Sequence, residues 1–198
     1  IINTNWDAIM PPPQGTGRAS YLTAVTEVEN ELIEILDVEK ILNEISPLNA
    51  EVSSEVAESL TTEGQENKII FIADDSAVAR NQVKKALTSL GLEIELAKNG
   101  LEALNRLKEI AEEYGDVTNR VGVLVSDIEM PEMDGYTLTA EIKNTPELQK
   151  LHVVLHTSLS GVFNQAMVQK VGADDFIAKF HPDELATAVQ KWLMTECE

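Results

Sequence analysis

Ile69-Ile70-Phe71-Ile72-Ala73-Asp74-Asp75 sets five apolar residues directly against two acids. So short a run, apolar at every position, reads as a strand covered on both faces, with the acid pair at its carboxyl end. Working outward, residues 76–90 bring Ala79, Val83, Ala86 (or Leu87) and Leu90 onto one helical face, and Gly91 stops that helix. A second strand follows at 92–97 and a second helix at 101–113. Val121-Gly122-Val123-Leu124-Val125 is a third strand, followed by a helix at 136–144 that stops before Pro146. Residues 151–156 form a fourth strand, and a helix over 161–171 turns Phe163, Ala166, Met167 and Val171 inward. A short strand at 176–178 precedes a last helix over 183–194, with Leu185, Val189 and Trp192 inward. Five strand–helix units whose strands are apolar on both faces predict an α/β class fold, a doubly wound parallel sheet in the order 2-1-3-4-5. Function in such a sheet lies beyond the carboxyl ends of the strands.

The front of the chain differs. Acid outweighs base across residues 27–66, with 12 Asp or Glu against one Lys, whereas residues 68–198 hold 21 acids and 13 bases. A boundary is therefore expected near residue 67. Residues 21–28 and 32–36 read as two strands, with Glu29-Asn30 able to close a tight hairpin between them. Asp37 can cap a short helix with Val38, Ile41, Leu42 and Ile45 on one face, ended by Pro47. Pro11 to Gly17 is a loop. Residues 47–67 read as an acidic linker with room for a short helix at 50–60. The opening residues Ile1-Ile2-Asn3-Thr4 read as the middle of a longer chain.

The net charge is −19, which disfavours nucleic-acid backbones as partners. No stretch approaches the roughly 18 apolar residues of a membrane span, so no membrane insertion is expected. One cysteine, Cys197, forms no internal disulfide, which points to a reducing compartment such as the cytoplasm. His152, His156 and His181 lack paired ligand spacing and read as ordinary residues rather than a zinc site.

The chemistry gathers at the predicted carboxyl edge. Strand one ends in Asp74-Asp75, strand three in Ser126-Asp127, strand four in Thr157 and strand five in Lys179. Three carboxylates at one edge are costly unless a cation sits among them. Oxygen ligands select a hard ion, Mg²⁺ or Mn²⁺. A phosphoryl group would find that ion, the Lys179 ammonium and the Thr157 hydroxyl around it. Asp127 lies between the acid pair and the Thr/Lys pair in strand order, which makes it the best-placed nucleophile. Taken singly, Asp75 could cap a helix, Asp127 could be a loop acid, Thr157 a strand-end hydroxyl and Lys179 a solvated lysine. Four strand ends with matched chemistry favour the joint reading.

Asp127-Ile128-Glu129-Met130-Pro131-Glu132-Met133-Asp134-Gly135 matches the D-x-x-M-P-x-M-D-G run of response-regulator receiver domains, and residues 68–198 resemble that family throughout. The resemblance implies a CheY-like fold and makes Asp127 the phosphorylated residue. It implies Asp74, Asp75, Asp127 and the backbone carbonyl of Glu129 as metal ligands, with Asp75 the more direct of the acid pair. It implies Thr157 and Lys179 as phosphoryl contacts and Phe176 as the switch aromatic. Phosphorylation would then remodel the face made by the receiver's fourth helix, fifth strand and fifth helix. The chain departs from the family where Phe180 replaces the usual proline after Lys179; a cis bond there would cost about 2.5–4 kcal/mol. Residues 1–46 look like the C-terminal part of a CheW-like coupling domain, so the whole chain resembles the CheV family. That resemblance implies the histidine kinase CheA and chemoreceptors as partners, in a signalling adaptor rather than an enzyme. A receiver serving another two-component output is an alternative, as is a Mg²⁺-dependent phosphatase acting on small phosphate esters.

Overall fold

The computed structural model describes residues 8–11, 21–28, 31–36, 38, 41, 51–59, 64–65, 67–157, 162–179 and 181–195, with the side chains of 162–166 outside that description. The chain divides into two compact units, Ile1–Leu48 and Asn49–Glu198.

In the first unit, β1 (Leu22–Val28) pairs antiparallel with β2 (Glu31–Leu36), as the alternating sequence predicts. Met10 adds a bridge to Val25. The expected turn at Glu29-Asn30, the proline-rich loop beyond Pro11 and most of the helix expected after Asp37 lie outside the described residues.

The second unit opens with a short helix α1 (Ser54–Ser59), inside the stretch read as a linker. Five strands follow: β3 (Ile69–Ala73), β4 (Glu93–Ala97), β5 (Val121–Ser126), β6 (His152–Thr157) and β7 (Asp175–Ala178). They alternate with α2 (Ala77–Leu87), α3 (Gly100–Tyr114), α4 (Gly135–Asn144), α5 (Val162–Val171) and α6 (Pro182–Leu193). The sheet is parallel throughout and ordered β4-β3-β5-β6-β7, which is the doubly wound 2-1-3-4-5 arrangement the sequence predicts.

Strand alternation splits the core into two layers. Ile69, Phe71 and Ala73 of β3 face a cluster with Leu104, Leu107 and Ile110 of α3 and Leu138 and Ile142 of α4. Ile70 and Ile72 face the other cluster, with Val83 and Leu87 of α2 and Leu185, Ala186 and Val189 of α6. β4 is the sheet's edge, as the predicted order requires, and Glu93 and Leu96 are exposed there. Trp192, expected inward, is half-buried and stacks at 4.6 Å on His152, a β6 residue as the sequence suggests.

Helix ends follow local chemistry. Ser76, not Asp75, caps α2, its side chain accepting from the Ala79 amide. Asn99 caps α3 through the Glu102 amide, and Asp134 caps α4 through the Thr137 amide. Gly91 and Gly115 take left-handed conformations where turns follow α2 and α3.

Candidate functional site

The strand ladders continue one residue past the strand ends, and this places the acids. The Asp74 amide donates to the Ala97 carbonyl at 3.2 Å, and the Asp127 amide donates to the Ala73 carbonyl at 2.7 Å. On the far side, the Lys179 amide donates to the Thr157 carbonyl at 2.8 Å. Each group is therefore carried by main chain still bonded to its neighbour. Loops alone would not hold such spacing.

The loop after Asp127 is built by its own sequence. Met130 is buried and Met133 half-buried against the core layer that holds Ile128. Gly135 donates from its amide to the Ile128 carbonyl at 2.9 Å, and Gly100 donates to the Met133 carbonyl at 3.1 Å. Both glycines are required by close approach, because a Cβ at Gly100 would meet Met133 O at 2.5 Å. Glu132 sits at a φ of 65°, a left-handed conformation unusual for a residue with a Cβ.

Asp74, Asp75 and Asp127 converge: one carboxylate oxygen from each lies within 4.8 Å of the other two. Asp74 is 2% exposed and Asp127 6%, while Asp75 is exposed. Lys179, 6% exposed, places Nζ 3.0 Å from Asp74 Oδ2 and 3.2 Å from Asp127 Oδ2. Asp74 Oδ1 accepts from the Ser76 amide at 2.8 Å, and Asp127 Oδ1 accepts from the Ile128 amide at 2.8 Å. Arg80 braces the acid pair from α2, donating to the Asp74 carbonyl at 2.5 Å. Sequence reading carried no signal for Arg80.

Burial sets the electrostatics. It lifts the Asp74 carboxyl to about 7, reinforced by the Asp127 charge and opposed by Lys179. Burial also raises Asp127, opposed chiefly by Lys179, with Asp75 adding to the rise. One ammonium thus fails to offset the desolvation of two buried carboxylates. Asp74 Oδ2, although at ion-pair distance from Lys179, is the one buried side-chain oxygen among the described residues without an aligned hydrogen bond. An orphaned oxygen in an all-oxygen donor set fits a hard divalent cation such as Mg²⁺.

Of the remaining sequence-singled residues, Thr157 is buried at the end of β6, adjacent to Lys179 through the main-chain bond above. Glu129 turns its side chain to solvent. Phe176 is half-buried against the core layer of β3 and α3, the position of a packed aromatic. The Lys179–Phe180 bond lies outside the described residues.

Residues 70–190 match the family model of the response regulator receiver domain. Chemotaxis protein CheV2 of Helicobacter pylori is 31% identical over 195 residues, 98% of this chain and 60% of that protein. CheV3 of the same organism is 30% identical over 174 residues, 87% of this chain and 55% of that protein. The chain thus spans little more than half the length of these curated relatives. Among solved structures, the signal receiver domain of a signal transduction histidine kinase from Syntrophus aciditrophicus is 34% identical, with a TM-score of 0.55, over 66% of this chain and 96% of that one. The chain belongs to the response regulator receiver domain family, and its similarity to CheV-type chemotaxis proteins extends through the front unit as well.

Proposed function

We propose that the second unit accepts a phosphoryl group on Asp127 from a histidine kinase, and that the chain acts as a chemotaxis signalling adaptor. The observation that carries this is the setting of Asp127: buried, flanked by two further carboxylates, and facing the buried ammonium of Lys179. A divalent cation held by Asp74, Asp75, Asp127 and the Glu129 carbonyl supplies positive charge to the transferring phosphoryl oxygens. Lys179 neutralises a further oxygen, and the Thr157 hydroxyl donates to another. Asp127 attacks the phosphorus as a carboxylate. An acyl–phosphate bond forms as the N–P bond of the donor phosphohistidine breaks, and the leaving imidazole takes up a proton from water. The product is a stoichiometric phosphoprotein rather than a turnover catalyst.

The donor in this reading is the kinase CheA, and chemoreceptors are engaged through a complete CheW-like domain, all in the cytoplasm. The similarity to CheV proteins and the antiparallel pair β1–β2 support it. Among the described residues no helix is long and apolar enough to cross a membrane. Rearrangement of Phe176 and of the surface made by α5, β7 and α6 would transmit the signal.

Transfer from radiolabelled kinase, with Asp127→Ala as control, tests the reading. One label per chain, lost in the variant, is the expected result. Undiminished label on Asp127→Ala rejects the assignment, and continuous turnover of simple phosphate esters would indicate a phosphatase instead.

A further inference from the structure

Residues 51–59, read from sequence as part of a linker, are seated on the second unit by three separate contacts. The Glu51 carboxylate meets Lys85 Nζ of α2 at 2.9 Å, and that charge holds the Glu51 carboxyl below its usual range. Val52 is half-buried against the core layer formed with α2 and α6. The Ser53 amide donates to Asp183 Oδ1, in the first turn of α6, at 2.7 Å. Ser53 then starts α1, its hydroxyl accepting from the Val56 amide at 3.4 Å. One face of the α2–α6 pair is therefore occupied by the chain's own arm.

We infer that this arm is a clasp sensitive to the state of the Asp127 site; the inference rests on the phosphoacceptor reading above. Two observations carry it. The first is weakness. The Glu51–Lys85 pair is 64% and 59% exposed, so water screens it. The Ser53–Asp183 bond is also exposed, and of the arm's half-buried residues Val52, Val56 and Ala57 it is Val52 that packs on the apolar layer, none of the three being fully buried. A small displacement suffices to open a clasp of this kind. The second is position. Asp183 follows Lys179 by only four residues. Lys179 divides its ammonium between Asp74 and Asp127, and its amide is bonded to Thr157. The start of α6 is tied to the same turn, the Leu185 amide donating to the His181 carbonyl at 3.0 Å.

Anionic phosphoryl oxygens on Asp127 draw Lys179 away from its present partners. The short connection passes that shift to the first turn of α6. The bonds of the clasp already have good lengths, so movement of Asp183 weakens them, and phosphorylation releases the arm. By reciprocity, loosening the clasp favours the phosphorylated state.

The test uses the whole chain with Mg²⁺ and beryllofluoride as phosphoryl mimic. Bound-fluoride ¹⁹F resonances report the site, and amide exchange by mass spectrometry reports residues 51–59. Exchange in the arm is expected to accelerate on the order of fivefold when the mimic binds. Val52→Asp and Lys85→Glu should bind beryllofluoride more tightly, again on the order of fivefold, and adding Glu51→Lys to Lys85→Glu should restore the wild-type affinity. Bound resonances with unchanged or slowed exchange, or with equal affinities across the variants, overturn the clasp and leave the site reading standing. Absence of bound resonances overturns both.

Discussion

A Cβ placed on Gly135 would stand 2.1 Å from the carbonyl oxygen of Asp127. The first turn of α4 thus rests on the main chain of the proposed phosphoacceptor, and the neighbouring Gly135–Ile128 hydrogen bond fixes that approach. Gly135→Ala must push the two backbones apart. It is expected to cost about 1–3 kcal/mol of stability and to slow phosphorylation by displacing Asp127. Urea unfolding together with the rate of labelling checks this; an unchanged midpoint would show that the loop yields freely.

The three clustered carboxylates predict that Mg²⁺ stabilises the fold. Binding at about 100 times its dissociation constant corresponds to about 2.7 kcal/mol. Thermal melting in Mg²⁺ against chelator should show the shift, and Asp75→Asn should reduce it. Because Asp75 is exposed, that substitution leaves the core packing intact.

His156 gives a pH dependence. Burial, aided by Lys179 and His181, lowers its pKa to about 3. In the unfolded chain it titrates near 6.5, so between these values the unfolded state binds the extra proton. Stability present above pH 6.5 is therefore lost as pH falls, at about 1.4 kcal/mol per unit for this group. The raised Asp74 carboxyl acts in the opposite direction, gaining stability as pH falls from its folded value of about 7. Comparison with His156→Leu isolates the histidine: its stability relative to wild type should rise as pH drops from 7 to 5. A constant difference over that range would contradict the assignment.

Glu132 offers a backbone test. Its left-handed φ of 65° costs about 1–2 kcal/mol for a residue with a Cβ. Glycine relieves that strain but loses about 0.5–1 kcal/mol through its freer unfolded chain. Glu132→Gly is expected to be neutral or slightly stabilising, and Glu132→Val to destabilise by more than about 1 kcal/mol. Chemical denaturation of both variants distinguishes strain at this position from a relaxed turn.

Much of this was legible in advance because strong local signals agreed. The apolar runs at 69–73 and 121–125 have no polar face to expose, so a sheet covered on both sides was their outlet. The D-x-x-M-P-x-M-D-G run was legible as a whole, whereas the burial of Met130, the capping of α4 by Asp134 and the close passage of Gly135 beside Asp127 came from the structure. The alternative of Asp75 as a helix cap, set aside in favour of the joint site, falls away because Ser76, one residue later, has the capping geometry. The edge position of β4 was legible too, since the predicted order puts the second strand outermost and Glu93 and Glu95 alternate with its apolar residues.

Periodicity and residue type by themselves determined the succession of strands and helices and the identity of the acids at the strand ends, because both depend on neighbours in the chain. Tertiary structure alone decided that Lys179 is buried between Asp74 and Asp127, that Arg80 braces Asp74, and that Val52 and Ser53 settle on α2 and α6. The Lys179 and arm contacts join residues dozens to more than a hundred positions apart, the Arg80 bond only six, and which groups lose water together is a property of the packed sheet rather than of any segment.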